Sequence, residues 1–198
     1  YRDGVMLVIG LATKNPELAR KLDHVKTFDD LLKALPSLTE EEQKRGVVCA
    51  SAGNHAQGVA YSCNALKVHG TIFMPIVTPN QKIDKVAQFG NGFIIIKLVG
   101  ATFDEASSAA KKFAEVQNAV YVHPFDDPYT IAGQGTVGKE ILEELPDLDI
   151  VISCVGGGGL ISGISSYLKT ENEKRRVFGV EPMGAAGMHN SLKAGKVI

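Results

Sequence analysis

From Gly46 onward, short apolar runs alternate with stretches whose apolar residues recur every three or four positions, the pattern of strands alternating with helices. Val47-Val48-Cys49-Ala50 is the first run, and a helix follows with Ala56, Val59, Ala60, Cys63 and Leu66 on one face. Thr71 to Met74 is the next strand, closed by Pro75. Thr78-Pro79 then opens a helix carrying Ile83, Val86, Ala87 and Phe89. Phe93 to Val99 reads as a strand. Thr102 with Glu105 three residues on is a capping box, and the helix it opens carries Phe103, Ala106, Ala110, Phe113 and Val116. Val120 to Val122 is a strand, Asp127-Pro128 starts a helix marked by Ile131, Val137, Ile141 and Leu142, and Ile150 to Val155 is a strand. A helix from about Leu160 to Leu168 and a strand from Arg176 to Val180, ending at Glu181, complete the series. Several strands are apolar without alternation, as strands buried on both faces are. The order predicts a parallel α/β architecture.

Upstream the signals are shorter. Val5 to Leu11 is a strand-like run with no basic stretch before it and no small-residue cleavage site, so no signal peptide is read there. Asn15-Pro16-Glu17 reads as a helix start, and Phe28, Leu31, Leu32 and Leu35 share a helical face that Pro36 stops. Thr39 with Glu42 is another capping box, opening a short polar helix that ends at Gly46.

Composition narrows the partners. The 21 Lys and Arg against 22 Asp and Glu give a net charge of −1, so no broad basic field exists to draw nucleic acid or anionic lipid. No stretch is apolar for long enough to cross a bilayer, and nucleic acid and membrane are excluded as expected partners. Cys49, Cys63 and Cys154 are an odd number without CxxC spacing, which fits a cytoplasmic protein with core thiols better than a disulfide scaffold or zinc knuckle. Glycine is in surplus: 21 of 198 residues, where about 14 would be usual.

Two turns account for much of that surplus. Strand Val151 to Val155 runs into Gly156-Gly157-Gly158-Gly159 and then Leu160-Ile161-Ser162-Gly163 at a helix start. Such a turn aims several backbone N–H groups at one anion, with no Cβ in the way and the helix dipole assisting, so it reads as a phosphate cradle; a plain surface turn would need fewer glycines. A Walker loop is excluded because no Gly-Lys-Ser/Thr follows. A dinucleotide fingerprint beginning at Gly157 continues at Gly159 but meets Ser162 in the third place, while Glu181 sits where a ribose-binding acid would belong. The second turn is Ser51-Ala52-Gly53-Asn54-His55-Ala56-Gln57-Gly58, again between strand and helix. It could hold a carboxylate on its amides, or Ser51 and Asn54 could be ordinary helix caps.

At these residues the chain resembles the fold-type II pyridoxal-phosphate enzymes, most closely the threonine dehydratases, with serine racemase a near relative. The resemblance lies in Leu38-Thr39-Glu40-Glu41 through Gly46-Val47-Val48, Ser51 to Gly58, Phe73-Met74-Pro75 with Thr78-Pro79, and His123-Pro124-Phe125-Asp126-Asp127-Pro128. It continues in Ala132-Gly133-Gln134-Gly135-Thr136, Val155 to Leu160, and Val180-Glu181-Pro182, and covers roughly four-fifths of the chain. It implies a two-domain α/β fold with parallel sheets flanked by helices, of which this chain is an incomplete part. Residues 1–51 and 143–198 would belong to a large cofactor domain and 52–142 to a small mobile one. Gly156, Gly157, Gly158, Gly159 and Leu160 would hold the phosphate of pyridoxal 5′-phosphate, and Asn54 would bond the ring's 3′-oxygen. Ser51, Ala52, Gly53 and His55 would hold the substrate carboxylate. The implied reaction is a β-elimination taking L-threonine or L-serine to a 2-oxo acid and ammonia, in a homodimer or tetramer.

The chain departs from the family pattern in three places. The family lysine lies in a Ser-x-Lys-x-Arg-Gly segment, and counting back from Ser51 puts it at Thr27; Lys26, one residue away, is the candidate, and no Arg-Gly follows it. Read locally, Thr27 is a helix cap facing Asp30 and Lys26 a solvated lysine. A non-catalytic paralogue or fragment that keeps phosphate binding is the alternative. The chain also ends before the part that would supply a polar partner to the pyridine nitrogen. Finally, the acid that follows the Val-Glu-Pro glutamate by six positions in serine racemase is Gly187 here, so no metal is expected at Glu181. His24, His69, His123 and His189 show no ligand spacing.

Overall fold

The computed structural model describes residues 39–198. The expected elements at 5–11, 15–17 and 28–35, together with Lys26 and Thr27, lie outside the described residues. The described chain forms two compact units, one ending at Pro124 and the other spanning Phe125–Ile198.

The first unit opens with α1 (Glu40–Arg45), where Thr39 and Glu42 form the expected capping box and Gly46 closes the helix at φ 78°. Then follow β1 (Val47–Ala50), α2 (Asn54–Leu66), β2 (Gly70–Met74), α3 (Asn80–Gly90), β3 (Ile94–Leu98), α4 (Phe103–Gln117) and β4 (Val120–Tyr121). The sheet is wholly parallel in the order β3-β2-β1-β4, with Val47 opposite Gly70 and Val120, and Gly70 opposite Ile94. Successive side chains of a strand point to opposite faces, which explains why β1 is apolar at every position. Val47 and Cys49 pack with Ala56, Val59, Ala60 and Cys63 of α2 and Val86 of α3. Val48 and Ala50 pack with Ala106, Ala110 and Ala114 of α4 on the other face. The expected division at residue 51 and the unit limit at Pro124 differ in where they leave β1, which here is an inner strand of this sheet.

Helical faces are narrower than the sequence pattern implied. Phe103 and Val116 lie on the expected stripe of α4 but are exposed, because alanines at 106, 110 and 114 make the contact and the larger residues flanking them stay outside; Leu66, at the last position of α2, is exposed as well. Ala87 of α3 is exposed, with its neighbour Val86 facing inward.

The second unit contains α5 (Pro128–Glu144), β5 (Ile150–Cys154), α6 (Gly159–Glu171), β6 (Arg176–Val180), a 3-10 turn (Met183–Ala185) and α7 (Gly187–Ala194). Strands β5 and β6 pair in parallel, Ile150 opposite Arg176 and Cys154 opposite Val180. Ile150, Ile152, Phe178 and Val180 are exposed, so the apolar runs that marked these strands do not lie on both faces of a covered sheet here. Cys154 is exposed as well, at the end of β5, and so is not the core thiol expected of it; Cys49 and Cys63 are. Helix α7 had no expectation from the pattern.

Candidate functional site: two strand-to-helix turns

The first turn links β1 to α2. Ser51 donates its N–H to the carbonyl of Phe73 and its Oγ accepts from the N–H of Gly53 over 3.1 Å. Gly53 is the N-cap of α2 and gives no side-chain cap; the first ladder bond runs from Gln57 N–H to Gly53 O. The main-chain N–H groups of Asn54, His55 and Ala56 therefore stand ahead of the helical ladder. Ser51 is thus a turn-former rather than the helix cap of the plainer reading, and the exposed Asn54 is the first residue of the helix. The side chain of His55 faces elsewhere: its Nε2 lies 3.1 Å from the carbonyl oxygen of Val122. A carbonyl can only accept, so Nε2 carries the proton and Nδ1 is a bare lone pair, buried with no hydrogen-bond partner. Burial holds the His55 pKa down at about 4; the Val122 bond opposes that and His123 nearby adds to it. At neutral pH the ring is uncharged.

The second turn links β5 to α6. Gly158 is the N-cap at φ 88°, a left-handed conformation that favours glycine, and no side chain caps the helix. Ser162 N–H bonds back to Gly158 O, which leaves the N–H groups of Gly159, Leu160 and Ile161 ahead of the ladder. The backbone requires three of the four glycines, each by its own geometry. A Cβ on Gly157 would stand 2.3 to 2.5 Å from the ring carbons of Phe125, and one on Gly159 about 3.0 Å from that residue's main chain and Cβ. A Cβ on Gly156 would meet nothing within 4 Å. The turn accordingly has an open face at Gly156 beside unladdered amides at the positive end of a helix of 13 residues, and a phosphate group fits that donor set. Gly163, also within the glycine-rich stretch, serves packing: its Cβ would stand 2.3 Å from Ile131 O and 2.6 Å from Gly135 N of α5.

Several candidates resolve into structural parts. Glu181 accepts from Met188 N–H at 2.9 Å and His189 N–H at 2.7 Å, one carboxylate oxygen each, and so caps α7. Engaged in this way it is not available as a ribose acid. No group of three or more His, Cys, Asp or Glu among the described residues could hold a metal ion. Burial pushes the Cys63 thiol up to about 12 and raises that of Cys49, with Cys63 adding to the effect, so neither is a nucleophile at neutral pH. No helix among the described residues is long and apolar enough to cross a membrane. The sequence pattern gave no sign of the contact of Phe125 with the glycine turn. What it did show was an aromatic two residues ahead of an Asp-Pro helix start.

Comparison with known proteins shows the family. The profile of the family described as pyridoxal-phosphate dependent enzymes matches residues 29–198. Biosynthetic L-threonine dehydratase of Halalkalibacterium halodurans is 49% identical over 165 residues, 83% of this chain and 40% of that protein. The Bacillus subtilis protein of the same name is also 49% identical, over 83% of this chain and 39% of its own length. Among solved structures, the processed form of threonine deaminase isoform 2 from Solanum lycopersicum superposes with a TM-score of 0.73 at 39% identity, covering 96% of this chain and 50% of that one. Maize serine racemase gives a TM-score of 0.75 at 33% identity over 98% and 52%. The chain spans about two-fifths of the length of these curated relatives.

Proposed function

The chain belongs to the pyridoxal-phosphate-dependent enzymes, and on that footing we propose that it is part of a threonine dehydratase, converting L-threonine or L-serine to a 2-oxo acid and ammonia. The observation that carries this reading is the β5–α6 turn: an open face at Gly156, a left-handed Gly158, and three amides ahead of the ladder at a helix N-terminus. The names of the 49% identical relatives support the reaction.

The cofactor supplies an electron sink for the negative charge that develops when the α-proton leaves. The rest is the work of this chain's residues. Gly156 to Gly159 and Leu160 hold the phosphate on main-chain N–H groups. The N–H groups of Ala52 and His55 take the substrate carboxylate, while those of Ser51 and Gly53 hold the shape of the turn through their bonds to Phe73 O and Ser51 Oγ. Asn54, exposed at the first position of α2, offers its side chain to the cofactor's ring oxygen. His55 acts through its main chain, because its ring is neutral and tied to Val122. A large cofactor domain and a small mobile domain, assembly as a dimer or tetramer, and a cytoplasmic setting belong to the same reading.

The experiment loads the chain with pyridoxal 5′-phosphate, reduces with borohydride, maps the modified peptide, and assays 2-oxo acid release from L-threonine. One modified lysine with turnover supports the dehydratase, and modification at Lys26 would identify its lysine. Phosphate-dependent binding with no modified lysine would make the chain a non-catalytic relative instead.

A further inference from the structure

We infer that Phe125 is a positioning residue for the phosphate-binding turn: its ring fills the space beside Gly157 and its main chain the space beside Gly159, fixing the direction of the turn's amides. This rests on the cofactor reading above.

The geometry has two parts. Phe125 Cγ, Cδ1 and Cδ2 lie 2.3 to 2.5 Å from where a Cβ on Gly157 would be, so the ring is packed face-on against the glycine backbone. Phe125 Cα, Cβ and O lie 2.9 to 3.0 Å from the corresponding point on Gly159. One residue thus backs two of the four glycines, while Gly156 keeps its open face. Phe125 is itself held by the helix start after it. Asp127 Oδ1 accepts from Thr130 N–H at 3.0 Å and Asp127 O from Ile131 N–H at 2.9 Å, which fixes the chain two residues beyond the ring. A glycine turn pays a large entropic penalty for holding one conformation, and an aromatic face against it removes alternatives that would turn the amides away from an anion. The start of α5 is thereby linked to the cradle of α6 through Phe125, in addition to the direct packing of the two helices at Gly163.

The test compares affinities for pyridoxal 5′-phosphate and for pyridoxal, which lacks the phosphate. Wild type should prefer the phosphate ester. Phe125→Ala should lower that affinity tenfold or more and leave pyridoxal binding unchanged, a separation that general loss of structure would not give. Gly157→Ala should be equally damaging in wild type but should add less than twofold on the Phe125→Ala background, where the ring it strikes is gone. Gly159→Ala should stay damaging on that background, since the main chain it strikes remains. Phe125→Leu, a milder change that keeps the fold should Phe125→Ala lose it, should fall between the two. Equal affinity for the phosphate ester in wild type and Phe125→Leu or Phe125→Ala would overturn the positioning role and leave the cofactor reading standing. A wild-type chain that does not distinguish the two ligands would overturn both.

Discussion

His55 donates from Nε2 to the carbonyl oxygen of Val122 over 3.1 Å, tying the first turn of α2 to the residue that follows β4. Its pKa is about 4 in the folded chain against 6.5 in an unfolded one, through burial first of all. Above pH 6.5 the ring is neutral in both states and its contribution is complete. Between 6.5 and about 4 the unfolded chain takes up the proton first, so stability falls over that window by on the order of 3 kcal/mol. Urea unfolding at pH 7, 5.5 and 4.5 should show this loss, and His55→Gln should remove close to one proton's worth of the slope. An identical slope in the variant would show that His55 does not titrate as described.

Gly156→Ala separates binding from folding. The new methyl group meets no atom within 4 Å, so the unfolding midpoint should stay within about 0.5 kcal/mol of wild type. The same methyl group occupies the open face of the turn, and affinity for pyridoxal 5′-phosphate should fall at least tenfold by calorimetric titration. Gly158→Ala should instead cost about 1–2 kcal/mol of stability, from the left-handed backbone at φ 88°.

Glu181 joins the end of β6 to α7 by accepting from Met188 and His189 N–H. Glu181→Ala should cost about 2 kcal/mol of local stability, read as amide exchange at Met188 and His189 faster by tenfold or more. Because both oxygens are engaged, millimolar magnesium should leave the thermal midpoint of wild type unchanged.

Gly163→Ala should be the most damaging single methyl group in the second unit. Its Cβ would stand 2.3 Å from Ile131 O and 2.6 Å from Gly135 N, main-chain atoms that cannot turn aside, so α5 and α6 must separate. A loss of about 3 kcal/mol is expected in urea unfolding.

The sequence made the element order legible as far as β6 because each strand and helix up to that point carries a local signal. Thr102 and Glu105 both cap α4 as their spacing implies, and β1 is buried at every position as its apolar run implies. Helix α7 was not legible because its cap comes from Glu181, outside the helix itself. Exposure was not legible either: Ile152 and Phe178 carry the residue types of a covered strand and yet are exposed, because apolar type records preference and not coverage. In the candidate site, the turns were visible as clusters of small residues. The separate reasons for Gly156, Gly157, Gly158 and Gly163 were not, since an identical letter serves an open face, a ring contact, a left-handed backbone and a helix crossing.

The central claim, that the β5–α6 turn receives a phosphate on its amides, is tested most directly by main-chain amide NMR during titration with pyridoxal 5′-phosphate and, in parallel, with pyridoxal. The resonances of Gly156 to Ile161 should shift with the phosphate ester and stay in place with pyridoxal. Resonances of that turn that do not move while others elsewhere do would contradict the claim.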